Sequence, residues 1–266
     1  MSAELMIIFI ALGAFVGMMA GLLGIGGGGI LVPILTSIFI YQQFPLQQVV
    51  HVALGTSMAC IMVTSFSSMR THHANGGVIW SLVKVMAPAI IIGTFAATFL
   101  AAQLSSKALA VLFAIFMAYV ASQMFRSKPL QASSAQASKL ELSLVAAFIG
   151  AISALVSIGG GSLSVPYLTW RNLDIRKAIG TSAALGFPIA VTGTLGYVIN
   201  GIHSDINLPN TIGFVYWPAV LLVVVPSYFT AKFGAGLTQT LPVSTLKRIF
   251  GVLLLLLSIK MLLSVY

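Results

Sequence analysis

The sequence predicts an all-α integral membrane protein: two five-segment inverted repeats with glycine-broken helices, about 8–10 transmembrane segments in all. Three observations predict it. Of the 266 residues, 59% are hydrophobic and only 6% charged, and the mean hydropathy is +1.06. A soluble domain carries about 25% charged residues to cover its surface, so lipid is the solvent that fits. Apolar runs close to the roughly 20 residues that cross the hydrocarbon recur along the chain. Finally, five landmarks occur twice in the same order.

Ile25-Gly26-Gly27-Gly28 returns as Ile158-Gly159-Gly160-Gly161, and Val32-Pro33 returns at the same offset as Val165-Pro166. "LGTS" at 54–57 recurs as "IGTS" at 179–182, and "APAIII" at 87–92 faces "PAVLLV" at 218–223, with Pro88 over Pro218. "LSSKALAVLF" at 104–113 answers "LPVSTLKRIF" at 241–250. Residues 1–125 form the first transmembrane repeat and 141–266 the second, joined by a polar, Ser/Ala-rich cytoplasmic linker at 126–140.

The first repeat opens with a span at 5–23, retained rather than cleaved as a signal peptide, because it lacks a basic leader and carries Glu4. A glycine run follows, then a short helix at 28–40 and longer ones at 48–69, 78–101 and 107–125. The second repeat reads 141–156, 162–170, 177–199, 211–233 and 243–264. Five crossings in each half invert the second relative to the first. The alternative has eight spans, with both short helices re-entrant. Under the ten-segment reading, ten basic residues, from Arg70 to Arg248, share one side, and only Lys107 and Lys260 occupy the other. The positive-inside rule then places both termini in the periplasm and the linker in the cytoplasm of an inner-membrane protein. The net charge of +9 reflects this topology and implies no nucleic-acid partner. Cys60, the single cysteine, can form no internal disulfide.

Gly24, Gly26 and Gly29 fit the G-x-G-x-x-G spacing of a dinucleotide loop. The context refuses it: the flank is a lipid-length apolar run, and no Asp or Glu occurs between Glu4 and Glu141. No cofactor is implied, and a P-loop is excluded because no Gly-Lys-Ser/Thr follows. Consecutive glycines instead disfavour helix and admit unusual backbone conformations. Irregular backbone at membrane depth must be buried in protein or line a cavity. Paired breaks in matching positions point to a transporter's binding site. A helix restarting at each break offers free N–H groups and a positive dipole end, which suits an anion. The substrate-binding candidates are therefore Gly26, Gly27, Gly28 and Gly29 in one half and Gly159, Gly160, Gly161 and Ser162 in the other. Ile30 and Leu163 complete the two sets of backbone donors. Tight helix packing is the alternative use of small residues.

Thr56, Ser57, Thr181 and Ser182 stand beside these breaks, with hydroxyls that either line the site or bond their own helix backbone. His51, one turn before Gly55, is a candidate for proton coupling or an interfacial residue. Arg176 holds the matching place before Gly180 and reads as a cytoplasmic anchor. His72 and His73 make a poor metal site without Cys or carboxylates nearby, and no metal or catalytic residues are expected. Lys84 is the one charge inside a span, either functional or snorkelling to the interface. No Asp or Glu lies within a span, which favours an anionic or neutral cargo.

"GLLGIGGGGILVPIL", the "LGTS" helix, "HANGGVIW" at 73–80, "IGGGSLSVPYL" with "IGTS", and "LPNTIGFVYWPA" at 208–219 together resemble the TauE/SafE sulfite exporters over nearly the whole chain. That resemblance implies an inner-membrane carrier for sulfite or a small organosulfonate, mostly outward, with the glycine runs at the break sites. The expected function is secondary transport of a small sulfur-containing oxyanion by alternating access, and not an enzyme. The alternative is a proton-coupled uptake permease for an organosulfonate or small carboxylate. At an inside potential on the order of −150 mV, a monovalent anion gains about 3 kcal/mol on leaving. The implied partners are the small anion and the lipid bilayer, and the sequence carries no signature of an oligomeric state.

Overall fold

A computed structural model describes residues 2–23, 27–125, 138–204, 208–237 and 243–265. Most of the expected linker and the break residues Gly24, Ile25 and Gly26 lie outside the described residues. The described chain is helical almost throughout: α1 Ala3–Leu23, α2 Gly28–Tyr41, α3 Val49–Ala74, α4 Trp80–Gln103, α5 Ser106–Phe125, α6 Lys139–Val156, α7 Gly161–Trp170, α8 Ile175–Ile202, α9 Trp217–Leu237 and α10 Val243–Val265. Seven of these helices are long and apolar enough to cross a membrane. The protein is thus a helical, multi-pass membrane protein. The helices restarting at the glycine runs fall short of a full span, at 14 and 10 residues.

Several boundaries move for local reasons. Helix α6 begins inside the expected linker, at Lys139, because Ser138 caps it and its hydroxyl accepts from the Glu141 N–H. Asp174 does the same for α8, accepting from the N–H groups of Arg176 and Lys177. The ninth helix starts at Trp217 rather than 211, since Thr211–Ile212 pairs antiparallel with Val215–Tyr216 through a turn with Gly213 at φ 57°.

Helix pairing follows an exchange rule. Helix α1 packs on α9 as α6 packs on α4, α3 meets α9 as α8 meets α4, and α3–α8 and α5–α10 pair with each other. Both of these last two pairs run antiparallel. Gly55 lies beside Tyr197, Met58 beside Gly193 and Ser65 beside Gly186. Gly251 meets Met124, while Ser258 donates to the Ala114 carbonyl at 2.9 Å. Glycines let the outer pairs approach backbone to backbone: a Cβ on Gly13 would overlap the Val223 carbonyl, and one on Gly93 that of Ala147.

Helices α3 and α8 form the centre and are mostly buried, whereas most of α9 is not. Large apolar side chains such as Ile7, Ile92, Ile115 and Leu263 face outward, the inverse of a soluble surface. Lys84 lies one turn into α4 and is exposed on that outer surface, the arrangement of a snorkelling lysine. The expected match of Pro88 with Pro218 does not hold in space. The hydrogen bonds described below equate Ile79 with Tyr216 and Trp80 with Trp217, a register that sets Pro88 on Val225, one residue from Pro226. Pro218 is merely the second residue of its helix, where a missing N–H costs nothing.

Candidate functional site at the two glycine breaks

Each short helix is started by a glycine in the left-handed region, Gly27 at φ 79°, ψ −8° and Gly160 at φ 75°, ψ −16°. Only glycine adopts this conformation without strain. Neither N-terminus has a side-chain cap. The Ile30 and Leu31 N–H groups turn back to the Gly27 carbonyl, and those of Leu163 and Ser164 to the Gly160 carbonyl. That removes Ile30 and Leu163 from the expected donors. The N–H groups of Gly28 and Gly29 in one half, and of Gly161 and Ser162 in the other, precede the first helical carbonyl and have no intrahelical acceptor.

The two breaks touch. The Cα of Gly28 faces the Ser157 carbonyl so closely that a Cβ would overlap it, and the Ile61 side chain closes the other flank. Ser157 ends α6 at φ 48° and donates its hydroxyl to the Leu54 carbonyl at 3.0 Å. The Gly159 carbonyl lies against Gly186 of α8. All residues from Gly27 to Pro33 and from Val156 to Ser162 are buried, so the centre is closed to solvent. Gly29 packs against Leu254 and Met117, which ties α5 and α10 to the first break.

The paired "GTS" motifs divide their labour. Thr56 Oγ1 accepts the Tyr216 N–H at 2.9 Å, and Thr181 Oγ1 accepts the Ile79 N–H at 3.0 Å. Each threonine thereby holds the residue just before α9 or α4, in the other half of the chain. The glycine beside it makes room: a Cβ on Gly55 would overlap the Phe214 carbonyl, and one on Gly180 the Gly77 carbonyl. Ser57 and Ser182 are different. Both are 0% exposed, and neither hydroxyl has a partner among the described residues, nor do those of Ser162 and Ser164. Such orphans are rare in packed interiors.

These groups do not all converge. Ser57 lies between Leu54 and Ile61, the two α3 residues that meet the breaks. The antiparallel register of α3 and α8 sets Ser182 about 18 Å further along the crossing, from the 1.5 Å rise per residue. Each serine thus belongs to one end of the centre. His51 is 4% exposed and is held away from the breaks. Its Nε2 donates to the Ala101 carbonyl at 3.1 Å, its ring lies 5.2 Å from that of Phe214, and Ser106 beside it donates to the Gln47 carbonyl. It fastens the start of α3 to the α4–α5 turn. Among the described residues no group of three or more His, Cys, Asp or Glu forms a metal cluster. Ser157, missed as a site residue, had one visible signal: it stands where the first repeat has Gly24.

The family profile described as "Sulfite exporter TauE/SafE" matches residues 9–261. A "Probable membrane transporter protein" of Haemophilus influenzae is 36% identical over 253 residues, covering 95% of this chain and 96% of its own. Similar proteins under that description occur in Methanocaldococcus jannaschii, 28% identical over 87% of this chain and 86% of its own, and in Bacillus subtilis, 26% identical over 96% of each. No solved structure matches the chain.

Proposed function

This chain belongs to the sulfite exporter TauE/SafE family of multi-pass membrane transporters, and from that premise we propose that it exports a small sulfur-containing oxyanion, sulfite or a small organosulfonate, across the bacterial inner membrane by alternating access. One observation carries the reading. Two uncapped helix N-termini, each opened by a left-handed glycine, lie at breaks that touch in a buried centre, where the hydroxyls of Ser57 and Ser162 have no partner among the described residues. Partial positive charge from both helix dipoles, with N–H and O–H donors around it, favours an anion there.

In this reading the binding residues are Gly28 and Gly29 with Ser57 on one side and Gly161 with Ser162 on the other. Gly27, Gly160 and Gly159 shape the backbone. Residues 1–125 and 141–266 act as two inverted repeats, supported by the exchange of helix partners and the antiparallel α3–α8 and α5–α10 pairs. Both termini lie in the periplasm, and the membrane potential drives the anion outward.

Thermal stabilisation of the purified protein by sulfite tests the reading, with sulfate, taurine and acetate alongside. The expected result is stabilisation by sulfite that Ser57→Ala with Ser162→Ala weakens in protein that still folds. A response to acetate but not to sulfite or taurine would keep a carrier and replace the cargo. Efflux from proteoliposomes under an imposed potential tests direction: outward movement must steepen as the interior becomes more negative.

A further inference from the structure

Beyond the breaks, α3 carries a second set of buried polar groups. Ser57, Ser68 and His72 fall on one face of this helix, by its 3.6-residue period. Ser182 lies opposite the far end of that face. Gly186 sits beside Ser65; one turn earlier on α8 is Ser182, and about one turn later on the antiparallel α3 is Ser68. Ser68 is 4% exposed and Ser182 0%. The hydroxyls of both, and Nε2 of His72, are buried without a hydrogen-bond partner among the described residues. Helix hydroxyls readily bond their own backbone, as Thr64 and Thr71 do on this same helix. Ser68 and Ser182 do not.

The other half supplies the comparison. The register that sets Gly55-Thr56-Ser57 on Gly180-Thr181-Ser182 sets His72 on Tyr197. Tyr197 is fully buried, and its hydroxyl donates to the Ala154 carbonyl at 2.9 Å, at the end of α6 beside the second break. One end of the α3–α8 seam is thus sealed by a satisfied phenol. The equivalent place at the other end holds an imidazole, a group that can take up a proton, and two hydroxyls unclaimed among the described residues.

We propose that Ser68, His72 and Ser182 form a second anion station between the glycine breaks and the far end of α3, loaded together with a proton on His72. The proposal rests on the oxyanion-carrier reading. Neutral imidazole offers one donor and one acceptor, whereas imidazolium offers two donors. With the two hydroxyls it surrounds an oxyanion by donors and one full charge, which the breaks lack. The charged residues that these packed elements carry toward this end are mostly basic: Arg70 on α3, Arg176 and Lys177 on α8, Lys84 on α4 and Lys232 on α9. Asp174 is engaged in capping α8, and His73 Nδ1 accepts from the Trp80 indole. Glu4 and Lys107 begin α1 and α5, at the opposite end of the bundle, and α2 carries no charge. Anion and proton each favour the other's binding here, and that coupling is reciprocal.

Calorimetric titration of the full-length protein with sulfite, taurine and acetate, across about pH 5 to 8, tests this. At least one anion should bind wild type about tenfold more tightly for each pH unit lowered, the slope of one coupled proton, in excess of the slope with His72→Gln. Sulfite itself titrates in this range, so the difference between the two proteins is the readout. His51→Gln should keep the wild-type slope. Ser68→Ala with Ser182→Ala should weaken binding about tenfold and leave the slope. Equal slopes in wild type and His72→Gln for every anion would overturn the proposal, as would wild-type affinity in the folded double serine variant. If His72→Gln does not fold, the serine pair decides. A His72-dependent slope for taurine or acetate with sulfite inert would keep the station and discard sulfite as cargo.

Discussion

Replacing Thr56 by Val separates the two roles open to the "GTS" hydroxyls. Valine keeps the volume and branching of threonine, so packing is preserved at a residue that is 0% exposed. What is lost is the acceptor for the Tyr216 N–H at 2.9 Å. Tyr216 is itself buried, and its amide precedes the first helical carbonyl of α9, so no other intrahelical acceptor exists. Leaving a buried donor unsatisfied costs about 1–3 kcal/mol. At about 2–4 °C per kcal/mol for chains of 150–250 residues, the melting temperature in detergent should fall by roughly 2–12 °C. Thr181→Val breaks the matching bond to Ile79 and should cost the same. The two bonds share no partner, so the double variant should be near-additive. Thr56→Ser retains the hydroxyl and should recover most of the loss. Wild-type melting of Thr56→Val, combined with loss of anion stabilisation, would refute the latch and return Thr56 to the binding site.

Other expectations follow from the same geometry. Gly160→Ala places a side chain at φ 75° against Ile189, a conformation costing about 1–2 kcal/mol for L-residues; folded yield and melting temperature should both drop, and Gly27→Ala against Val16 should behave alike. Gly28→Ala meets the Ser157 backbone rather than a flexible side chain, so it should be worse tolerated than Gly76→Ala, which meets nothing within 4 Å and carries only its φ of 67°; expression screening by fluorescence-detected chromatography compares them. Glu141→Gln breaks the ion pair with Arg171 at the start of α6. Because Glu141 is 36% exposed at its side chain and Arg171 keeps its stacking 4.7 Å over Trp170, the loss should not exceed the roughly 0–1 kcal/mol of a surface pair, a fall in melting temperature of roughly 0–4 °C.

Composition and period alone determined most of the architecture. A chain with 6% charged residues cannot cover itself in water, and glycine runs at membrane depth break helices wherever they occur, so the all-α membrane fold and the short helices expected from 28 and 162 were legible in the sequence, the second beginning one residue earlier in the structure. Helix ends were less so, because a cap such as Ser138 or a hairpin such as Thr211–Tyr216 adds only a few tenths to a few kcal/mol locally. Which hydroxyl does what was decided by tertiary structure. Thr56 and Ser57 are adjacent in sequence and both buried, yet a helix turns them 100° apart. One meets a loop from the other half, and the other has no partner among the described residues. His72 reads in the sequence as part of a cytoplasmic turn past a helix ending at 69, but α3 continues to Ala74 and leaves its Nε2 buried without a partner among the described residues, whereas His51 is given the Ala101 carbonyl. Sequence periodicity specifies the face of a helix; only the packing of α8, and of the loops before α4 and α9, specifies what that face meets.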